Sequence, residues 1–500
     1  MAMAGEGAQS GAGEMRHPLA RIARLLGVAL CLSLAACTTN PATGKTQLKT
    51  LMSADDEAQA GAAAHPKILL AYGGVYGDER VNAYVAGVTS RIVKGSDAPA
   101  SAYRVTVLNS PVVNAFALPG GYVYVTRGLL ALVDDEAELA GVLGHEIGHV
   151  IARHSAQRQT AALGASVVGA LLGAVVGSPA AAQVVGQGSQ GVLASYSRDQ
   201  EFEADALGVR YLARAHYDPY AEADFLEAMG EQEKLHAAIS HKKYDPTRMD
   251  WLASHPATPD RVAAARNHAA ETGILPGAGD RNRDVYLHAI DGLLYGDSPD
   301  QGMVRGRTFV HPKLRVTFTA PPQFTLVNAP DAVIIEGPDK TIAKFDAGSK
   351  VAGIEIGSYL ANIWAEDVPL AKLERFTVNG MPAATAQTKV GAYNARLVAI
   401  EAAPDKVYRF LMGTMPDAGS RYDQALHEMV VSFRRISEAE ALAAKPLRIR
   451  VVKVGAKDSV ASLAARMDFA DFRVERFRAL NGLAAGTALR PGQLVKLVAE

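Results

Sequence analysis

Residues 134–158 read DDEAELAGVLGHEIGHVIARHSAQR, and the fold is decided there. Leu139, Val142, Leu143, Ile147, Val150 and Ile151 recur at helical spacing. Asp134, Asp135 and Glu136 lead the stretch and Arg153 and Arg158 follow it, which suits a helix dipole at both ends. Inside stands His145-Glu146-Ile147-Gly148-His149. Histidines at i and i+4 leave one face a turn apart, so two ring nitrogens can meet one Zn²⁺ at about 2.0–2.1 Å. Glu146 is offset by about 100° around the axis. From there it can reach water at the metal without easily taking a ligand site, as a general base would. Gly141, Gly144 and Gly148 cost helix propensity and predict that another element packs closely on this helix.

A third ligand is needed, with the fourth position left for water or substrate. The longer HExxHxxGxxH pattern would put a histidine at 155, where Ser155 stands. Between His149 and Arg198 there is no Asp or Glu; the first carboxylates come in residues 197–205, SRDQEFEAD. This opens a second helical pattern with Phe202, Ala206, Val209 and Ala213 on one face. Glu201 and Asp205 are i and i+4 and share a face, while Glu203 points to the opposite side. Glu201 can therefore ligate the metal, and Asp205 can accept the second N–H of a ligand histidine, fixing its tautomer.

HEIGHVIARH followed by SRDQEFEAD resembles the HtpX, Oma and BepA type of zinc endopeptidase, which also includes the CAAX prenyl proteases. The segments 114–121 (NAFALPGG) and 254–261 (SHPATPDR) are similar to the family's at the same places. The resemblance spans about residues 53–275. It implies a zincin-like fold with one zinc ion per chain held by His145, His149 and Glu201. Glu146 would be catalytic, and Asp205 takes the family's acidic outer position. No stretch reads as the long transmembrane helices of the HtpX and CAAX branches, so the likeness is to the soluble periplasmic branch.

Other residues can be placed around that site. Asn114, Ala115, Phe116 and Ala117 would lie on a sheet edge beside the metal, where an extended peptide could pair through main-chain hydrogen bonds. An ordinary internal strand is the alternative. His255, held extended by Pro256, could stabilise the oxyanion, cap the zinc as an inhibitory fourth ligand, or serve only the loop. His154 sits about 140° off the zinc face and suits an outer hydrogen bond. Arg198 could orient a carboxylate or substrate, or simply lie at the surface. Residues 161–177 are small and apolar, with Gly169, Gly173 and Gly177 spaced by four. A buried hairpin, a membrane-touching element and a mobile lid all remain open for them.

The remaining sequence sets the context. The 500 residues carry 51 Lys+Arg against 52 Asp+Glu, which offers no basic excess for nucleic acid. Apolar residues are 49% and charged ones 21%, enough for folded cores. Met15 opens a second candidate start, followed by Arg16, Arg21 and Arg24 and then the apolar run Leu25 to Leu34. Leu34-Ala35-Ala36-Cys37 resembles a bacterial lipobox, which implies a signal peptide over 1–36 and lipidation at Cys37. Thr38 then resembles outer-membrane sorting. With Cys31 discarded, no disulfide is expected.

The expected order is a polar tether over 37–52, a metallopeptidase domain over 53–275 and a linker over 276–300. An α+β domain of unnamed role follows over 301–437, then a terminal module over 446–500. That module, with Val452-Lys453-Val454-Gly455, Leu480-Asn481-Gly482-Leu483 and Leu489-Arg490-Pro491-Gly492-Gln493-Leu494, resembles a LysM domain. The resemblance implies a strand–helix–helix–strand unit and peptidoglycan contact, although Asp468 to Phe472 departs from the usual sequence between the helices. The fold class is α+β, with a mainly helical zincin-like domain and a small sheet at its head. The function expected is a lipid-anchored periplasmic endopeptidase acting on misfolded or misassembled envelope proteins. Its rival is a protease-derived chaperone or peptidoglycan-bound scaffold with latched or structural zinc.

Overall fold

The computed structural model describes residues 37–40, 44, 46–48, 53–98, 103–158, 196–240, 255 and 258–500. The signal peptide expected over 1–36 and the Gly/Ala segment 161–177 lie outside them. The described residues combine helices with several sheets. No helix among them is long and apolar enough to cross a membrane.

The described residues divide between two units, one holding those within 37–53 and 152–158 and the other those within 54–151 and 196–500. In the smaller unit, β1 (Cys37–Thr39) pairs antiparallel with β2 (Thr46–Leu48). This short pair falls inside the stretch expected to be a tether, and Cys37 is its first residue.

The larger unit begins with α1 (Ala54–Ala71) and α2 (Glu79–Gly95), the latter capped by Asp78. Then β3 (Arg104–Leu108), β4 (Ala115–Leu118) and β5 (Tyr122–Thr126) form a sheet of order β3-β5-β4. β3 runs parallel to β5, and β4 returns antiparallel, so β4 is an edge. Between β4 and β5, Gly120 and Gly121 take φ of +84° and +80°, a turn that side chains with a Cβ resist.

Short α3 (Arg127–Leu132) leads into α4 (Glu136–Ile151), the motif helix. Asp135 caps α4 by accepting from the Glu138 N–H at 2.9 Å, and Glu138 answers by accepting from the Asp134 N–H at 2.9 Å. Every residue of α4 from Glu136 to His149 is buried. It is enclosed by β4, α2, α5 (Arg198–Arg214) and α6 (Ala221–Ser240). Gly144 and Gly148 are the reason α5 can come so close, while Gly141 makes room for Glu222 of α6. A Cβ on Gly144 would stand 3.3 Å from the Gly208 Cα, and one on Gly148 would stand 3.1 Å from the Leu207 Cβ.

α7 (Pro259–Glu271) starts at the Thr258 cap with proline in its first turn. Residues 276–300, expected to be a linker, instead form α8 (Arg283–Ile290) and dock on the peptidase region. Arg281 accounts for this: it pairs with Asp135 at 3.1 Å, with Asp218 at 2.9 Å and with Asp224.

Residues 303–435 build two sheets. The strands β6 (Met303–Arg305), β7 (Thr308–His311), β8 (Val316–Thr319), β9 (Thr325–Asn328), β10 (Val333–Glu336) and β11 (Ile342–Ser349) come first. After α9 (Ile356–Tyr359) come β12 (Ala371–Val378), β13 (Met381–Val390), β14 (Tyr393–Ala403), β15 (Lys406–Thr414), α10 (Asp423–Val431) and β16 (Arg434–Arg435). A seven-stranded antiparallel sheet of order β12-β13-β14-β15-β11-β10-β9 lies beside a four-stranded one of order β16-β8-β7-β6. Alternation along β14 shows both faces at work. Val398 and Ile400 join a core with Phe345 and Phe410, while Leu397 and Ala399 join another with Tyr359 and Leu360.

After α11 (Glu438–Ala443), the C-terminal module runs β17 (Arg448–Lys453), α12 (Val460–Ala464), α13 (Arg473–Leu480) and β18 (Leu494–Ala499). β17 and β18 pair antiparallel.

Candidate metal centre

Helix α4 brings the His145 and His149 side chains together, their Nε2 atoms 3.0 Å apart. Helix α5 starts at a capping box between Ser197 and Gln200, which places Glu201 on the turn facing them. Glu201 oxygens lie 3.7 Å from His145 Nε2 and 3.6 Å from His149 Nε2. His255 adds a fourth donor: its Nδ1 is 3.3 Å from His145 Nε2 and 2.9 Å from Glu201 Oε1. The donor atoms of His145, His149, Glu201 and His255 all lie within 4.8 Å of one another, and all four residues are buried.

These residues fit a zinc ion. Four donors at tetrahedral bonds of about 2.0–2.1 Å would sit about 3.3 Å apart. The separations given above, 2.9 to 3.7 Å, bracket that value. Three imidazoles with one carboxylate is also the ligand chemistry zinc prefers over the all-oxygen sets of calcium or magnesium.

The surroundings fix the ligands. Asp205 Oδ1 lies 2.9 Å from His145 Nδ1, which commits that nitrogen to donating and turns Nε2 toward the other donors. Arg261, on the first turn of α7, is 2% exposed and bridges both carboxylates. Its Nε and Nη2 donate to Asp205 at 2.8 and 2.6 Å, and its Nη1 lies 2.9 Å from Glu201 Oε2. Burial opposes the charged form of Asp205, but Arg261 first and then His145 outweigh it and hold the carboxyl down at about 2. Burial also opposes a charged Glu201; His255, then His145 and Arg261, hold it below the usual range. His255 goes the other way. Its burial disfavours the imidazolium, yet Glu201 and Glu146 make it more basic than usual. Glu146 is buried on α4, with Oε1 3.6 Å from His255 Nε2.

Three residues were not singled out from the sequence. Arg261 closed the recognised segment 254–261, and two inward carboxylates on one helix face do call for a buried cation. Glu222 on α6 is buried behind His145, with Oε1 4.0 Å from His145 Nδ1. Burial and then Asp205 raise its pKa far above the usual carboxyl range. Nothing in the acidic run around Glu222 distinguished it. Tyr196 stacks on His149, ring centroids 3.8 Å apart, from the residue just before the α5 cap.

One expected neighbour is placed elsewhere. Arg198 does not reach the carboxylates: as the first residue of α5 it stands 72% exposed and pairs with Asp260 at 2.7 Å. Arg261 holds the position suggested for it. His154, three residues past the end of α4, is buried and is not one of the four converging donors.

The edge strand β4 packs on α4, and its Phe116 and Leu118 join a cluster with Tyr72 and Tyr124. The Thr126 N–H donates to Asn114 O at 3.0 Å, and Phe116 faces Tyr124. By antiparallel alternation, the main-chain N–H and C=O groups of Ala115 and Ala117 then point away from β5. The Asn114 side chain is used internally, donating to the Tyr72 hydroxyl at 3.1 Å.

Residues 74–269 match Peptidase family M48. The Beta-barrel assembly-enhancing protease of Yersinia pestis is 30% identical over 222 residues, 42% of this chain and 43% of that one. Its namesake in Escherichia coli K12 is 29% identical over 220 residues, with the same shares. The Mitochondrial metalloendopeptidase OMA1 of Schizosaccharomyces pombe is 34% identical over 155 residues, 30% of this chain and 44% of that one. The chain thus spans less than half the length of these curated relatives.

Proposed function

We propose, from the match of residues 74–269 to Peptidase family M48, that the chain is a zinc-dependent metalloendopeptidase. Its substrates would be misfolded or misassembled proteins of a bacterial envelope. The observation that carries this reading is the convergence of His145, His149 and Glu201 with Glu146 alongside.

His145, His149 and Glu201 would hold a zinc ion, which would supply Lewis acidity to the hydrolysis. The chain's own residues do the rest. His145 is held in one tautomer by Asp205, and Glu201 is held ionised by His255, then His145 and Arg261. The Glu146 carboxylate accepts a proton from the attacking water and then delivers it to the departing amine. An extended substrate pairs with the outward main-chain groups of Ala115 and Ala117, which reads backbone and so tolerates varied sequences. Burial of the centre excludes bulk water and strengthens these interactions.

The lipobox-like sequence supports an anchor at Cys37, with the chain held on the outer membrane and facing the periplasm. The βααβ order of residues 448–499 supports the LysM reading of that module, with peptidoglycan as its ligand.

The test is Glu146→Gln in the full chain. The variant is expected to keep one zinc per chain and lose casein cleavage by about 1,000-fold or more; wild-type cleavage would refute the mechanism. One observation favours a second, latched state: His255 Nδ1 already stands in the donor set. If His255 is a latch, His255→Ala raises the basal rate. If it stabilises the oxyanion, the same change lowers it.

A further inference from the structure

Lys496 lies on β18 of the C-terminal module and is fully buried. Its Nζ donates to the carbonyl oxygens of Ala131 at 3.0 Å, Leu132 at 2.9 Å and Val133 at 2.7 Å. That uses all three donors of an ammonium group. It also stands 3.2 Å from Asp134 Oδ1. These are the carbonyls that end α3, where a helix lacks partners and favours a cation. They are also the turn from which α4 departs. Thus one side chain from the far end of the sequence closes the joint at the base of the metal-binding helix.

The joint is bound from other sides too. Arg283 Nη1 donates to Asp134 O at 2.6 Å, and the Glu138 carboxyl accepts from the Asp134 N–H. Gly482, at φ +59°, abuts the Asp134 carboxylate: a Cβ there would fall 2.2 Å from Oδ2. Asn481 fixes the Lys496 backbone, accepting from its N–H at 2.7 Å and donating to its carbonyl at 2.9 Å. The module is further tied down where β17 exchanges hydrogen bonds with residues 292–295 on its outer edge.

We propose that Lys496 is a positioning residue for the metal-binding helix, so that the C-terminal module is a working part of the peptidase. This rests on the function proposed above. His145 lies eleven residues beyond Asp134, roughly 16 Å along the axis at 1.5 Å per residue. A tilt of about 4° at the joint would move the imidazoles by roughly 1 Å, a displacement that can cost about 100-fold in rate.

The experiment uses the full chain with Co²⁺ as a spectroscopic probe and casein as substrate, well below the unfolding temperature. Lys496→Met is expected to lower kcat about 100-fold with KM within about 2-fold, and to shift the visible Co²⁺ bands. Adding Asp134→Asn removes the stranded carboxylate and should restore at least about 10-fold of kcat. A folded Lys496→Met with wild-type kcat and Co²⁺ bands overturns the proposal. Should Lys496→Met fail to fold, Gly482→Ala decides: an exposed methyl pressed on Asp134 should shift the bands and lower kcat about 10-fold, and unchanged values overturn it. Wild-type chain that binds no Co²⁺ would defeat the functional reading alone. Amide exchange of residues 139–149, faster in Lys496→Met than in wild type, would still read the joint; equal rates would sink it.

Discussion

The metal centre and the sheets of residues 303–435 are both buried, and they are built from opposite materials. Around α4, α5 and α7 the interior holds His145, His149, Glu146, Glu201, Asp205, Glu222, His255 and Arg261. In the sheets, the interior is Phe309, Phe318, Phe345, Phe410 and Phe433, with aliphatic neighbours. An apolar core needs shape and volume. A polar interior needs every charge answered, because an unanswered one costs several kcal/mol. The first region therefore trades generic stability for a site that can hold a cation, while the second is free to be a packed scaffold.

Arg261 is the sharpest place to break this contrast. In metal-free chain, Arg261→Met strips the guanidinium from Asp205 and Glu201, leaving them to His145 and His255, and should cost about 3–5 kcal/mol in urea unfolding. Zinc should recover part of that, since it answers Glu201 in Arg261's place. A loss below about 1 kcal/mol would show that the ion network is not what holds the region together. Next comes Phe410→Ala on the other side, where a cavity among aromatic rings should cost about 3 kcal/mol. There the Co²⁺ bands should not move, because no charge was disturbed; a shift would couple the sheet to the centre.

This contrast also explains what could be read from the sequence. His145, His149 and Glu201 were legible because ligand spacing is a local, periodic property of helices. The close glycines were legible for the same reason. Arg261 and Lys496 were not. Their work lies in answering charges and carbonyls from distant segments, and no periodicity encodes a partner 56 or 365 residues away. The linker expected at 276–300 failed on this count: its Pro, Gly and Asp content suggested a loose connection, but Asp135, Asp218 and Asp224 gave Arg281 three fixed partners.

Smaller effects sharpen the same comparison. Gly144→Ala sets a methyl 3.3 Å from the Gly208 Cα, where backbone must yield, and should cost about 1–3 kcal/mol by thermal unfolding. His311 tests the sheet region by pH. Burial, and then Lys406, depress its pKa to about 4, below the usual value near 6.5. The unfolded chain then takes up a proton that the folded one refuses. The contribution of His311 is present above about pH 6.5 and is lost as pH falls toward about 4. His311→Gln should flatten the stability of this region across that window, and an unchanged pH profile would remove the residue from the account.

Arg198→Ala carries the smallest expected change. It lies only three residues before Glu201, so nearness in sequence argues for a role at the metal. The geometry argues against it, since the guanidinium is largely in water and its partner Asp260 is 67% exposed. Such a pair contributes between about 0 and 1 kcal/mol and is screened by salt. The change should therefore shift stability by less than about 0.5 kcal/mol and leave zinc affinity and kcat as they were. A tenfold fall in either would mean that Arg198 leaves Asp260 when substrate binds. The division between a closed polar centre and a solvated rim would then have to be redrawn to include it.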